Sequence, residues 1–266
     1  MQPPRFIHRL SDIAARFDGL LCDAWGVIHN GVTLFDGVEE ALEKFRAQRG
    51  PVVILPNPPR PATIIPAQLD RIGLSRSAYD AVVTSGDATR AAIERFLAAP
   101  AFRLGPDKDE ALYEGMNITF ETIGRAGFIV CTGLFDEARE TPDDYAELLK
   151  SAGAKKMPMV CANPDVIVRW GDRLVYCAGA LAEAYEKLGG EVVYGGKPHA
   201  PIYDFAIEKI AAIAGRSVNR RRVLAIGDGV RTDIAGANGN GFPALFVAGA
   251  GGVHDGSANE KSIADA

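Results

Sequence analysis

No stretch of this sequence approaches the roughly 20 consecutive apolar residues that carry a helix across a bilayer. Its opening residues, Met1 to His8, hold no long apolar core of the kind a secretory leader needs. The expected location is therefore the cytoplasm. Cysteine is scarce, with 4 in 266 residues and no Cys-x-x-Cys pair. Cys22, Cys131, Cys161 and Cys177 sit far apart in apolar, strand-like runs, which argues for reduced core thiols rather than a disulfide framework. Positive charge is also short: 29 Lys and Arg face 34 Asp and Glu, a formal charge of −5, and the pI is near 5.5. Nucleic acid and anionic membrane gain nothing from an acidic surface, so the expected partner is a small molecule. Internal repeats and low-complexity tracts are absent. What remains is an ordinary globular composition, 47% hydrophobic and 24% charged, in a chain long enough for a core domain that carries an insertion.

Short β-rich apolar runs alternate with amphipathic helical stretches, the pattern of an α/β protein with a parallel sheet wrapped by helices. Expected strands are 20–22, 52–55, 81–84, 127–131, 157–161, 223–226 and 244–247, with a hairpin of 166–169 and 174–177 across Gly171-Asp172. Expected helices run over about 37–48, 62–72, 142–152 and 202–214, with another capped by Asp87 and reaching about 98. The pattern turns irregular from about 99 to 125, and the core pattern resumes at Val192-Val193-Tyr194. A core of 1–97 and 191–266 with an inserted α/β domain at 98–190 follows. The basic run Arg216 to Arg222 is expected to be a solvated lead-in to a strand, and the small polar residues from His254 to fray.

Three polar residues stand at the carboxyl ends of expected parallel strands: Asp23, Asn57 and Asp228. Open α/β sheets bind ligands at such ends, so three separate segments point to one crevice. Asp23 precedes a tight turn at Gly26, where following N–H groups can face an anion while the carboxylate attacks phosphorus. A plain turn aspartate is the alternative. Gly195-Gly196-Lys197-Pro198 puts an ammonium in a glycine-rich turn, where it can neutralise a carboxylate and a phosphoryl group together, unless it is a solvated surface lysine. In Gly227-Asp228-Gly229-Val230-Arg231-Thr232-Asp233 two carboxylates lie five residues apart around a strand-to-helix turn, suited to one Mg²⁺; helix capping by Asp233 is the other reading.

Asp-x-x-Gly-Val, a strand-end Asn, Gly-Lys-Pro and Gly-Asp-x-x-x-Thr-Asp, in this order, resemble the motifs of the haloacid dehalogenase superfamily. The segment carrying Ala162-Asn163-Pro164-Asp165 and Ala178-Gly179-Ala180-Leu181 is similar to that of its class IIA branch, which includes NagD-like sugar phosphatases, nitrophenyl phosphatases and pyridoxal phosphatases. The resemblance implies a Rossmann-like core, a type-2 α/β cap that is mobile or forms a homodimer, and a small phosphorylated metabolite as substrate. It implies an aspartyl-phosphate on Asp23, with Lys197 and Asp233 completing the catalytic set. It also implies Mg²⁺ held by Asp23, Asp228 and the backbone carbonyl of Trp25, and substrate contacts from Trp25, Gly26, Asn57, Asn163 and Asp165. For Asn163-Pro164-Asp165 a plain turn stays open.

Two positions depart from the family pattern. Trp25 replaces the aspartate that usually protonates the leaving oxygen, a loss that typically costs about 10²–10⁴ in rate. Pro56 replaces the Ser or Thr before the strand-end Asn and offers neither hydroxyl nor N–H. His29 and His199 are candidate substitute proton relays. Trp25 is expected either to wall the substrate or to fill the core. A Mg²⁺ phosphatase, a ligand-binding or regulatory descendant with weakened catalysis, and a metal-independent dehalogenase all remain open.

Overall fold

The computed structural model describes residues 5–170 and 173–248. The chain forms two compact units, one of Met1–Pro56, Pro66–Val82 and Ala206–Ala266, the other of Asn57–Ile65 and Val83–Phe205.

In the first unit, β1 (Gly19–Cys22), β2 (Val52–Ile54), β3 (Ala81–Val82), β10 (Val223–Gly227) and β11 (Ala244–Phe246) form a parallel sheet in the order β11-β10-β1-β2-β3. β1, β2 and β10 are buried along their whole length, as continuous apolar runs require when helices cover both faces of a sheet. Cys22 is in register with Ile226 on one side and Ile54 on the other, so the carboxyl ends of β1, β2 and β10 lie side by side. Helix α1 (Val38–Gln48) starts from Gly37 at φ +74° and buries Leu42 and Phe45. Helix α2 (Ile65–Ile72) lies between β2 and β3 in sequence. At the opposite end of the sheet, Arg222 grips Asp18 through two bonds of 2.6 and 2.7 Å. Arg220 lies over the Phe242 ring. The basic run is thus paired and packed as well as solvated.

The second unit holds helix α3 (Ser85–Ile93) and a parallel sheet in the order β4-β5-β6-β9, from β4 (Ala101–Leu104), β5 (Phe128–Cys131), β6 (Met159–Cys161) and β9 (Val192–Tyr194). Alternate residues face opposite cores: Ile129, Cys131 and Met159 join Leu149 and Tyr185, whereas Phe128, Val130 and Val160 join Ile93 and Leu112. An antiparallel pair, β7 (Ile167–Trp170) and β8 (Arg173–Tyr176), stands apart; its expected turn at Gly171-Asp172 lies outside the described residues. Helices α4 (Ala146–Ala154) and α5 (Ala178–Lys187) belong to this unit. Helix α6 (Ala200–Ala214) leads out of it, and α7 (Ala235–Gly239) follows β10.

Three expectations need correction. Val192–Tyr194 does not resume the first sheet: β9 pairs with β6, Val193 opposite Val160, a choice among apolar partners that sequence pattern does not encode. The stretch 99–125 is not wholly irregular, since Ala101–Leu104 is a strand; four residues interrupted by Arg103 are too short to show a period. The helix α3 is capped by Thr84, whose hydroxyl accepts from the Asp87 N–H while the Asp87 carboxylate accepts from the Thr84 N–H. The residues from His254 lie outside the described range. All four cysteines are buried thiols. Among the described residues no helix is long and apolar enough to cross a membrane.

Candidate active site

β1 ends in a residue that continues its ladder: the Asp23 N–H donates to Ile226 O at 2.8 Å, which fixes the backbone from which the carboxylate projects. Neighbouring β10 delivers Asp228 one residue beyond its end, and the following π-helical turn, Val230–Ile234, carries Asp233. All three side chains are buried, and one carboxylate oxygen from each lies within 4.8 Å of the others. Like charges at such a spacing repel by a few kcal/mol each at an effective dielectric near 20. A set of three hard anionic oxygens is what a small divalent cation requires, so these residues fit Mg²⁺. Asp233 also accepts from the Gly229 N–H at 3.0 Å, so its turn-closing bond and its place in the cluster coexist.

Glycine makes the close approach achievable. Gly26 has φ +79°, and a Cβ there would stand 2.2 Å from Asp228 Oδ2. A Cβ on Gly227 would stand 2.1 Å from Asp233 Cγ.

Trp25 lays its ring against Gly31, with His29 edge-on at 5.4 Å between ring centroids. Its Nε1 is buried without an acceptor among the described residues. His29 Nδ1 accepts from the Gly31 N–H at 2.9 Å, which assigns the proton of the neutral ring to Nε2. Burial pulls this imidazole down to a pKa of about 4, so at neutral pH it holds no surplus proton. In the second unit His199 stacks on Tyr194 at 4.4 Å, and burial lowers its pKa as well.

The other expected site residues gather in the second unit. Asn57 donates to Asp165 Oδ1 at 3.1 Å and to Lys197 O at 3.3 Å, and it accepts from the Lys197 N–H at 2.9 Å. Lys197 is only 2% exposed, which rules out the solvated surface lysine. Asn163 Oδ1 accepts from the Asp165 N–H at 3.0 Å, so Asn163-Pro164-Asp165 is an Asx turn, and it aims Asp165 at Asn57. A Cβ on Gly196 would meet Ser85 Oγ, Asn57 Oδ1 and Pro164 Cδ within 2.7 Å. Sequence reasoning passed over Ser85, whose hydroxyl donates to Ala162 O; the Thr-x-x-Asp spacing of residues 84–87 was the available signal. The Arg60–Asp109 ion pair, 3.1 Å long, had none.

A family model described as haloacid dehalogenase-like hydrolase matches residues 20–119, and a HAD-hydrolase-like model matches 194–265. A hydrolase of the haloacid dehalogenase-like family from Brucella suis is 42% identical, covers 97% of this chain and 94% of its own, and superposes with a TM-score of 0.89. The chain belongs to the haloacid dehalogenase-like hydrolase family. Two more distant structures share its fold. A protein from Cytophaga hutchinsonii, described as a possible sugar phosphatase of the HAD superfamily, is 20% identical over 98% of this hydrolase and 94% of that chain, with a TM-score of 0.81. A glycerol phosphate phosphatase from Mycobacterium tuberculosis in complex with magnesium is 23% identical over 91% of this hydrolase and 71% of that chain, with a TM-score of 0.65. No curated protein matches this hydrolase.

Proposed function

We propose that this chain is a Mg²⁺-dependent phosphatase of a small phosphorylated metabolite, working through an aspartyl-phosphate on Asp23. The observation that carries the reading is the buried cluster of Asp23 and Asp228, at the ends of adjacent parallel strands, with Asp233 from the turn that follows. Asp23 and Asp228, with the backbone carbonyl of Trp25, are the ligands we assign to the cation, which when bound offsets the charge of the phosphoryl oxygens. An Asp23 oxygen attacks phosphorus, the bond to the leaving oxygen breaks, and water then hydrolyses the acyl phosphate. Asp233 holds the turn that carries Asp228. In the second unit, Lys197 and Asn57 are assigned to the phosphoryl group, and Asn163 and Asp165 to the choice of substrate. The fold shared with a possible sugar phosphatase and with a glycerol phosphate phosphatase in complex with magnesium supports this reading.

Trp25 and Pro56 favour a second reading, a ligand-binding descendant with little turnover. One experiment separates the two: phosphate release from a panel of phosphorylated metabolites with and without Mg²⁺, for the wild type and Asp23→Asn. The phosphatase gives Mg²⁺-dependent release that the amide abolishes, since it is nearly isosteric but cannot attack. Release by Asp23→Asn within about tenfold of wild type removes Asp23 as nucleophile. Metal and phosphate binding without any release favours the second reading.

A further inference from the structure

Asn57 opens the segment Asn57-Pro58-Pro59-Arg60-Pro61-Ala62, in which three prolines remove three N–H donors and fix three φ angles. Such a segment is stiff, so a displacement at one end is felt at the other. It also has few backbone bonds to hold it. Gly86 N–H donates to Pro58 O at 3.2 Å, Thr84 Oγ1 donates to Arg60 O at 2.6 Å, and Ala62 N–H donates to Asp87 Oδ1 at 3.1 Å. All of these reach the amino-terminal end of α3. The ion pair reaches elsewhere: Arg60 Nε donates to Asp109 Oδ1 at 3.1 Å, on the 3-10 helix Asp107–Tyr113 that follows β4.

Asp109 is only 1% exposed, and its Oδ2 has no hydrogen-bond partner among the described residues. Burial raises its carboxyl pKa and the Arg60 guanidinium opposes that rise. The Arg60 side chain is 25% exposed against 2% for that of Asp109. An ion pair that buries its carboxylate in this way gains little over an apolar pair of similar volume, because desolvation offsets the attraction; what it can supply is a fixed geometry. The nearest group of the proposed site along the chain is Asn57, three residues before Arg60, bonded to both Asp165 and Lys197.

We infer that Arg60 and Asp109 are positioning residues for Asn57: their ion pair fixes the proline-stiffened segment and thereby sets where the Asn57 amide meets Lys197 and Asp165. The functional consequence rests on the reading of Asn57 as a phosphoryl ligand, whereas the positioning itself does not.

The test uses the full-length, ¹⁵N-labelled chain and three variants: Asp109→Asn, Arg60→Met, and the double apolar replacement of Arg60→Met with Asp109→Leu. Melting temperature, the Asn57 side-chain amide resonance, and the affinity for inorganic phosphate in saturating Mg²⁺ are read together. The double variant is expected to melt close to wild type yet shift the Asn57 amide signal and bind phosphate about tenfold more weakly, as loss of an orienting partner typically does. A merely structural pair gives the opposite: once stability returns, the amide signal and the phosphate affinity return with it, and the inference is overturned. If the double variant does not fold, Asp109→Asn carries the same two readouts, with an unmoved amide signal overturning the inference. Should the wild type bind no phosphate, Asn57 is not a phosphoryl ligand, and the amide signal still decides the positioning.

Discussion

Replacing Gly26 by alanine tests the proposed metal site with the least chemistry. The new methyl carbon would stand 2.2 Å from Asp228 Oδ2, 2.5 Å from its Cγ and 2.9 Å from Oδ1. Restoring ordinary van der Waals contact requires a movement of about 1 Å, and Asp228 is buried, so the carboxylate has little room to yield. Misplacement on that scale costs about 10²-fold in catalysis, and Mg²⁺, which tolerates poor geometry badly, should bind more weakly too. Backbone strain adds about 1–2 kcal/mol, because φ is +79°. Gly37→Ala is the control: its φ is +74° and a Cβ there meets nothing within 4 Å. Both variants should lose the backbone-strain share of stability to urea, Gly26→Ala the more because of its clash with Asp228, while Gly26→Ala alone loses phosphate release and calorimetric Mg²⁺ affinity. If Gly26→Ala keeps both within about threefold of wild type while losing only stability, Asp228 is not a ligand of the cation.

Two other substitutions probe the chemistry and the scaffold. Trp25→Asp should raise turnover of alkyl phosphates over that of nitrophenyl phosphate by about tenfold or more, because an added acid matters most where the leaving oxygen needs a proton; an unchanged ratio means another group already supplies it. Asp18→Asn should lower the melting temperature by a few degrees, about 0.5–1 kcal/mol for a pair whose side chains are 22% and 50% exposed. The Arg222 hydrogen bond, then the Arg222 and Arg216 charges, hold the Asp18 carboxyl below the usual carboxylate range. The stability it contributes is therefore present above about pH 4 and is lost as pH falls through the lowered value. The gap between wild type and Asp18→Asn should close in acid, and a gap that stays constant to pH 2 contradicts the assignment.

The residues of the candidate site were legible because their signals are local. An aspartate that follows a buried apolar run and precedes a tight glycine turn needs only a few residues to announce itself, and Asp23 and Asp228 are of this kind, while Asp233 is marked by its spacing from Asp228. Lys197 was legible by its glycines, but its burial was not, since that depends on Asn57, 140 residues away. The Thr84 cap is local as well, and its reciprocal partner Asp87 carries the same Thr-x-x-Asp signal three residues on.

Taken alone, the sequence determined the alternation of strands and helices, the residue types at the strand ends and the turns that need glycine, because each rests on a period or a backbone conformation a few residues long. Only the tertiary structure decided that β9 joins β6, that three carboxylates separated by up to 210 positions in sequence come within 4.8 Å, and that Arg60 finds Asp109. Pairing between distant segments is selected by the packing of the whole unit, and an apolar strand or a charged side chain carries no local mark of which partner will be nearest once the chain has closed.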